Sequence, residues 1–239
     1  MKHRVRIIIT TVTLLLFPVI LNFLSPAVPI FGAFQGVIAG SLCLFAVQFM
    51  TGLFFGRAWC GWVCPASALG DIAMRVNDRP VNRKALAIIR FSVFGVWIAV
   101  LIAGFVAAGG VRSIDPLFLT ENGVSVDMPA KYIIYYIVLA VIFGTNLLVG
   151  RRGACHSFCW MSPFLAGGYA VGHLLHMPQL RIKSRPESCV ACGKCDRACP
   201  MSLPVRTALQ TGIIPQSDCI LCGECVKTCP KNVLRFGIK

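Results

Sequence analysis

The sequence predicts an α-helical membrane unit of four transmembrane helices, built as a two-helix repeat with an added re-entrant or interfacial helix, followed by a small α+β domain rich in cysteine. Three observations carry this expectation. Of 239 residues, 56% are hydrophobic and only 13% are charged, whereas about a quarter of an ordinary soluble domain is charged. No charged residue occurs between Arg6 and Arg57. Eight of the thirteen cysteines fall between Cys189 and Cys229, in a stretch that turns polar from Arg181 onward. The predicted division is therefore 1–180 for the membrane unit and 181–239 for the cysteine-rich domain.

The charge-free stretch is long enough for two spans of about 20 residues, expected over 5–24 and 34–55, with Ser25-Pro26-Ala27-Val28-Pro29 as a tight turn between them. Pro18 is expected inside the first span, because membrane helices tolerate breakers better than soluble ones. No A-x-A-like cleavage site follows the first apolar run, which argues against a signal peptide. A third span is expected over 91–108 and a fourth over 132–150, the latter closed by Arg151 and Arg152. The segment 153–180 is also uncharged, but Ser157, Ser162, Pro163, His173 and His176 interrupt it. Positive residues flank it at both ends, so a re-entrant or interfacial helix is expected there rather than a fifth crossing.

Lysine and arginine set the orientation. Lys2, Arg4 and Arg6 precede the first span, and Arg57, Arg75, Arg79, Arg83 and Lys84 fill the loop after the second, while the first outer turn carries no charge. The positive-inside rule then places both termini in the cytoplasm. The formal charge of +14 is read as this topology signal. Without an aromatic-interleaved basic face it does not indicate nucleic acid.

One motif occurs twice in the tail: Cys189-x-x-Cys192-x-x-Cys195-x-x-x-Cys199-Pro200 and Cys219-x-x-Cys222-x-x-Cys225-x-x-x-Cys229-Pro230. Thiolates at i, i+3 and i+6 wrap one face of a cubane, and the fourth cysteine, held apart by the proline, ligates the other cluster. Two [4Fe-4S] clusters follow. Cluster one takes Cys189, Cys192, Cys195 and Cys229, and cluster two takes Cys219, Cys222, Cys225 and Cys199. Structural zinc uses paired C-x-x-C motifs with a longer gap. A disulfide framework belongs to short secreted chains. Metal ligation also explains how about 59 residues form a stable domain with so small a core. Gly193 and Gly223 fit the turns that bring backbone N–H groups to the sulfurs. Lys194, Arg197, Lys227 and Lys231 are candidates to steer a negatively charged partner, or form only a solvated face.

A second pattern lies in the membrane unit: Gly56-Arg57-Ala58-Trp59-Cys60-Gly61-Trp62-Val63-Cys64-Pro65 and Arg151-Arg152-Gly153-Ala154-Cys155-His156-Ser157-Phe158-Cys159. The two segments read as halves of an internal repeat, 95 residues apart. Cysteines at i and i+4 share a helical face, so Cys60, Cys64, Cys155 and Cys159 are expected to converge as a candidate third metal or Fe-S site, or as a thiol relay. The alternative is buried, unligated cysteine, which is the reading for Cys43.

Together these features resemble the NapH, NosR and CcoG group of membrane polyferredoxins, and the resemblance covers essentially the whole chain. It implies a multi-pass protein of the bacterial cytoplasmic (inner) membrane that relays electrons between the quinone pool, or a cytoplasmic donor, and other redox subunits of a respiratory complex. It also implies a quinol dehydrogenase-type electron-transfer subunit with quinone as a candidate ligand. The second CxxxC departs from the pattern, with its proline displaced to Pro163 and His156 between the cysteines. The rival expectations are a metalloreductase that uses the CxxxC cysteines and a metal-centre assembly factor. No haem is expected, since no histidine lies in the four spans and C-x-x-C-H is absent. No flavin or nucleotide fingerprint occurs either. Asp115, Glu121 and Asp127 in the outer loop, with His156 as their rival, are candidate proton acceptors. Gln48 and Asn146 are expected to be interhelical hydrogen-bonders.

Overall fold

The structure is a computed structural model that describes residues 2–121, 123–210, 214 and 217–238. Met1 and Lys239, the outer limits of the two predicted units, lie outside the described residues.

Pro18 decides the first element. Proline has no N–H to donate and its ring crowds the carbonyl four residues back, here Leu14, so 5–24 is not one rod. It is split into α1 (Lys2–Leu15) and α2 (Phe17–Leu24), bent by 83° at the break. Pro18 sits in the first turn of α2, where a missing N–H costs nothing. The turn expected over 25–29 is also mostly helical. α3 (Ala27–Gln35) starts after Pro26 and closes at Gly36, whose φ of 72° is left-handed. Two indoles pin the tip between α2 and α3: Trp160 Nε1–H donates to the Leu24 carbonyl (2.9 Å) and Trp97 Nε1–H to that of Pro26 (2.8 Å).

The second apolar run also divides. Val37–Ala39 is a short strand, β1, parallel to β2 (Ser113–Asp115), with Val37 opposite Ser113. The helix that follows, α4 (Gly40–Phe55), has 16 residues and is about 24 Å long. α5 (Ala58–Trp62) and α6 (Pro65–Ala73) come next. α7 (Arg83–Ala107) and α8 (Pro129–Val149) are both long and apolar enough to cross a membrane, and each encloses most of an expected span. α9 (Gly153–Ser157) and α10 (Met161–Leu174) complete this part. α10 has 14 residues, about 21 Å, against a hydrocarbon core of about 30 Å.

α10 runs parallel to α4, with Phe164 stacked on Phe45 at 5.2 Å and Gly168 and Gly172 against Phe49 and Leu53. A Cβ on Gly168 would overlap the Phe49 carbonyl oxygen and one on Gly172 that of Leu53. Small residues let two backbones meet this closely, which is how helices associate in lipid. The repeat read from the cysteines is a repeat of elements: α4-α5-α6 matches α8-α9-α10. Each long helix ends at a glycine of positive φ, Gly56 (53°) and Gly150 (116°).

In the tail, β3 (Leu180–Ser184) pairs antiparallel with β4 (Leu234–Ile238), Leu180 opposite Ile238. Between them lie α11 (Lys194–Arg197), α12 (Val205–Gln210) and α13 (Glu224–Thr228). Met201, Val205, Leu209 and Leu234 are buried between these elements, in a core that also takes in Cys60 and Leu165 of the first part. The tail therefore shares a core with the helices below it.

Candidate redox centres

The tail cysteines gather in two sets of four. Cys189, Cys192, Cys195 and Cys229 line one cavity, and Cys199, Cys219, Cys222 and Cys225 line another. Each triad therefore shares its space with the fourth cysteine of the other copy. The two loops have the same local cause. Ala191 (φ 53°) and Leu221 (51°) are left-handed within the first C-x-x-C, and Gly193 (68°) and Gly223 (79°) then start α11 and α13 in the same region. Repeated left-handed turns curl the chain around a centre. The Leu203 N–H reaches Cys199 Sγ at 3.4 Å. A tetrahedral zinc with Zn–S of about 2.3 Å needs sulfurs about 3.8 Å apart. Among the described residues no three of His, Cys, Asp and Glu are gathered to hold a single metal ion. The cysteines ring cavities instead, as a larger group requires.

The CxxxC cysteines do not sit in pairs on one helix. Pro65 forces the residue before it out of the helical region, so Cys64 is extended (φ −63°, ψ 126°) and caps α6, while Cys60 lies in α5. Cys155 lies in α9 and Cys159 in the link to α10. Convergence arises instead from the two repeats meeting. Cys64, Cys155 and Cys159 line one cavity of apolar walls, and Cys60 is close enough to act electrostatically on all three. Burial pushes the Cys159 thiol up to about 12, with Cys155 and Cys60 adding to it. Burial raises Cys64 and Cys155 as well. In the tail, burial lifts Cys219 to about 12 and Cys222 to about 11. Unligated, the Cys64, Cys155, Cys159, Cys219 and Cys222 thiols stay protonated at neutral pH, and a metal must displace those protons to bind.

Sequence reading missed the cations that surround this site. Arg57 and Arg152 are each 1% exposed. Arg57 reaches Asp218 at 3.1 Å, and Arg152 holds Asp71 and the Ser67 hydroxyl (2.9 Å). Neither guanidinium is used up. Arg57 Nε and Nη2 and Arg152 Nε and Nη1 are buried without a partner among the described residues, and each such donor costs about 1–3 kcal/mol unless something accepts from it. Burial pushes both groups down, and their neighbours more than reverse it: Cys60, Asp218, Cys159 and Cys155 for Arg57, Asp71, Cys155 and Cys222 for Arg152, the cysteines acting once ionised. Thiolates around an anionic iron–sulfur core would accept from such donors. A signal existed: both arginines stand three residues before the first cysteine of their motif, 95 residues apart.

The same charges join the two parts of the chain. Arg6 bonds Asp71 (2.9 Å) and Glu224 (3.0 Å), and Arg90 joins Arg57 on Asp218 (3.3 Å). Arg151 grips Asp78 through Nε and Nη2 (2.6 and 2.8 Å), and its Nη1 points at the Cys199 carbonyl (3.4 Å). Trp62 Nε1–H donates to the Leu221 carbonyl (3.0 Å). Gly61 lies against the Ile220 carbonyl so closely that a Cβ would overlap it. Gly61 therefore packs directly on the Ile220 backbone, one residue from Cys60 on one side and one from Cys219 on the other.

Other expected residues have local duties. Asp127 is paired with Lys131 (2.6 Å), and the Asp115 carboxylate accepts from the Leu117 N–H (3.0 Å). Glu121 belongs to a small bridge with Val124. His156 is buried, and burial with Arg57 nearby takes it down to about 3, too low for an effective base at neutral pH. His173 lies 6.3 Å from the Tyr169 ring and His176 is left-handed (φ 55°) after α10. Asn146 Oδ1 accepts from the Ala154 N–H (3.1 Å) and so fixes α9 on α8, while Gln48 meets Met161 Sδ at 3.4 Å.

Comparison with known proteins adds two family matches. A family described as a 4Fe-4S dicluster domain matches residues 188–234, and one described as a 4Fe-4S binding domain matches residues 36–84. The latter region contains Cys60 and Cys64. The chain is 26% identical over 188 residues to the methylamine utilization ferredoxin-type protein MauN of Methylobacillus flagellatus, covering 76% of this chain and 62% of that one. It is 26% identical over 145 residues to MauN of Methylorubrum extorquens (60% and 47%). It is 23% identical over 192 residues to YccM of Escherichia coli K12, named for electron transport (75% and 51%). The chain thus spans about half to three-fifths of the length of these relatives. No solved structure matches. The chain carries two 4Fe-4S ferredoxin-type domains and is homologous to proteins named for ferredoxin-type electron transport.

Proposed function

We propose that this chain is a membrane-embedded electron relay of three centres, of the NapH, NosR and CcoG type. Cys60, Cys64, Cys155 and Cys159 hold the first, at the cytoplasmic membrane face. Cys199, Cys219, Cys222 and Cys225 hold the second, and Cys189, Cys192, Cys195 and Cys229 the third. Residues 1–180 form the membrane unit and 181–239 the ferredoxin-type domain. When bound, the clusters supply one-electron transfer. The single observation that supports the reading is the direct contact of Gly61, next to Cys60, with the backbone of Ile220, next to Cys219.

The residues divide the work. Arg57 acts electrostatically on Cys60, Cys155 and Cys159 and Arg152 on Cys155 and Cys222, so both guanidiniums lie among the thiolates and balance their charge without moving. Leu21, Leu24, Phe158, Trp160 and Met161 wall the cavity beside Cys64 and Cys159. They exclude water and suit the ring of a quinone-type donor arriving from lipid. α7 and α8 cross the bilayer in full. The bent α1–α2 pair with α3, and α4, make the other two crossings in pieces, with both termini on the cytoplasmic side of a bacterial inner membrane.

The crossed ligation is tested by paramagnetic resonance on the reduced, anaerobically prepared protein. The signal lost in Cys199→Ser should be the one lost in Cys222→Ser, and that lost in Cys229→Ser the one lost in Cys192→Ser. A Cys199→Ser variant that loses the Cys192 signal instead contradicts the assignment.

A further inference from the structure

The two copies of the cluster motif place the same loop in opposite surroundings. In the second copy the residues between Cys219 and Cys222 are Ile220 and Leu221, each 2% exposed. They are covered by α5: Gly61 lies on the Ile220 carbonyl and the Trp62 indole donates to that of Leu221. In the relay reading, this covered loop is the one that faces the neighbouring centre. In the first copy the equivalent residues are Val190 and Ala191, and Val190 is 57% exposed. Cys192 beside them is the exposed cysteine of the tail.

The rim of this bare loop is cationic. Lys194, Arg206 and Lys231 line the cavity of Cys189, Cys192, Cys195 and Cys229 together with Val190 and Ala191. Arg197 Nη2 donates to the Cys192 carbonyl (3.4 Å) and Arg206 Nη1 to the Ala191 carbonyl (3.4 Å). All four side chains are exposed. The nearest carboxylate on these elements, Asp196, accepts from the Arg206 backbone N–H (2.7 Å), and Glu187 lies before the loop in sequence. The second copy also has exposed cations, Lys227 and Arg235 beside Cys222, but there the centre of the loop is covered, and its further cations Arg57 and Arg152 are buried.

We infer that the Cys189–Cys192 loop, with its apolar centre at Val190 and Ala191 and its ring of Lys194, Arg197, Arg206 and Lys231, is the docking face for an acidic one-electron carrier protein. This rests on the relay reading, in which Cys189, Cys192, Cys195 and Cys229 hold the outermost centre. The electron crosses singly between that centre and the carrier, one oxidised as the other is reduced. Arg197 and Arg206 also hold the loop through its carbonyls. Lys194 and Lys231 have no such duty and serve only the field that steers the partner.

The test uses the intact protein in nanodiscs, with flavodoxin hydroquinone as the acidic protein probe and photoreduced 5-deazaflavin as a small reductant that needs no docking face. For the wild type, the second-order rate with flavodoxin should fall as salt is raised. Lys194→Glu with Lys231→Glu should lower that rate at low salt about tenfold or more and flatten its salt dependence, while the deazaflavin rate and both tail resonance signals stay as in the wild type. Val190→Asp should lower it as well. An unchanged flavodoxin rate in these variants overturns the inference. So does a loss confined to Lys227→Glu with Arg235→Glu, which flank the cleft at Cys222. A wild type lacking the tail signals would instead sink the relay reading itself.

Discussion

Replacing Asp218 by asparagine removes the one carboxylate that two buried arginines share. Arg57 approaches it at 3.1 Å and Arg90 at 3.3 Å, with side chains 1% and 3% exposed, while Asp218 itself keeps 16%. Breaking a buried pair by deleting one partner costs about 3–5 kcal/mol. The residual exposure of Asp218 puts this case at the lower end, about 3 kcal/mol, or roughly 150-fold in an equilibrium. Arg83 reaches the same carboxylate at 3.5 Å with 23% exposure, so Arg83→Gln should cost less than about 1 kcal/mol. The loss falls on docking, because Asp218 precedes the loop that rests on α5. Hydrogen exchange on the intact protein in nanodiscs should therefore show protection of α5 and of residues 219–222 dropping by about two orders of magnitude in Asp218→Asn and by less than about fivefold in Arg83→Gln. Burial raises the Asp218 carboxyl, but Arg57 and Arg90 outweigh it and hold it below its ordinary value. Its contribution is thus complete above about pH 4 and is lost only as pH falls through the lower folded value. The deficit of the variant should be the same throughout the neutral range. Protection within about threefold of the wild type, or equal losses in the two variants, would mean that Arg57 and Arg90 do not depend on this carboxylate.

Three further outcomes follow from the same contacts. Gly61→Ala places a Cβ on the Ile220 carbonyl, so it should cost about 1–3 kcal/mol of docking stability and slow electron transfer between the first two centres, with tail resonance signals unchanged. Gly168→Val drives a side chain into the Phe49 carbonyl and should destabilise the α4–α10 pair by about 1–3 kcal/mol in a detergent unfolding titration. Gly167→Ala, whose Cβ would lie 3.6 Å from the Phe49 ring, should be close to neutral there. A reporter fused after the tail should be active only on the cytoplasmic side, and periplasmic activity would mean an odd number of crossings.

What sequence made legible depended on distance along the chain. The two tail motifs are local, so the eight cysteines and their expected grouping follow from fixed spacing alone. The repeat was visible because Arg57-x-x-Cys60 and Arg152-x-x-Cys155 stand 95 residues apart. Long apolar runs marked α7 and α8 correctly, yet composition cannot see a backbone break, so Pro18 and the strand Val37–Ala39 divided the first two runs against expectation. The same oversight put Cys60 and Cys64 on one helix, where Pro65 ends it. The charge lattice was out of reach for a different reason. Arg6 with Glu224 and Arg57 with Asp218 pair across 218 and 161 positions, and no periodicity encodes such pairs. In sequence the buried arginines looked like loop charges of the positive-inside kind, and folding turned that bias inward, onto the cysteines.

In the proposed relay the four CxxxC cysteines hold a cluster of their own. Iron quantitation on the anaerobically purified chain, paired with the variant in which Cys60, Cys64, Cys155 and Cys159 are all alanine, tests it most directly. The wild type should hold about twelve iron atoms per chain and the variant about eight, with both tail signals retained. About eight in both proteins, or a wild type with eight iron atoms and stoichiometric zinc or copper, would contradict it.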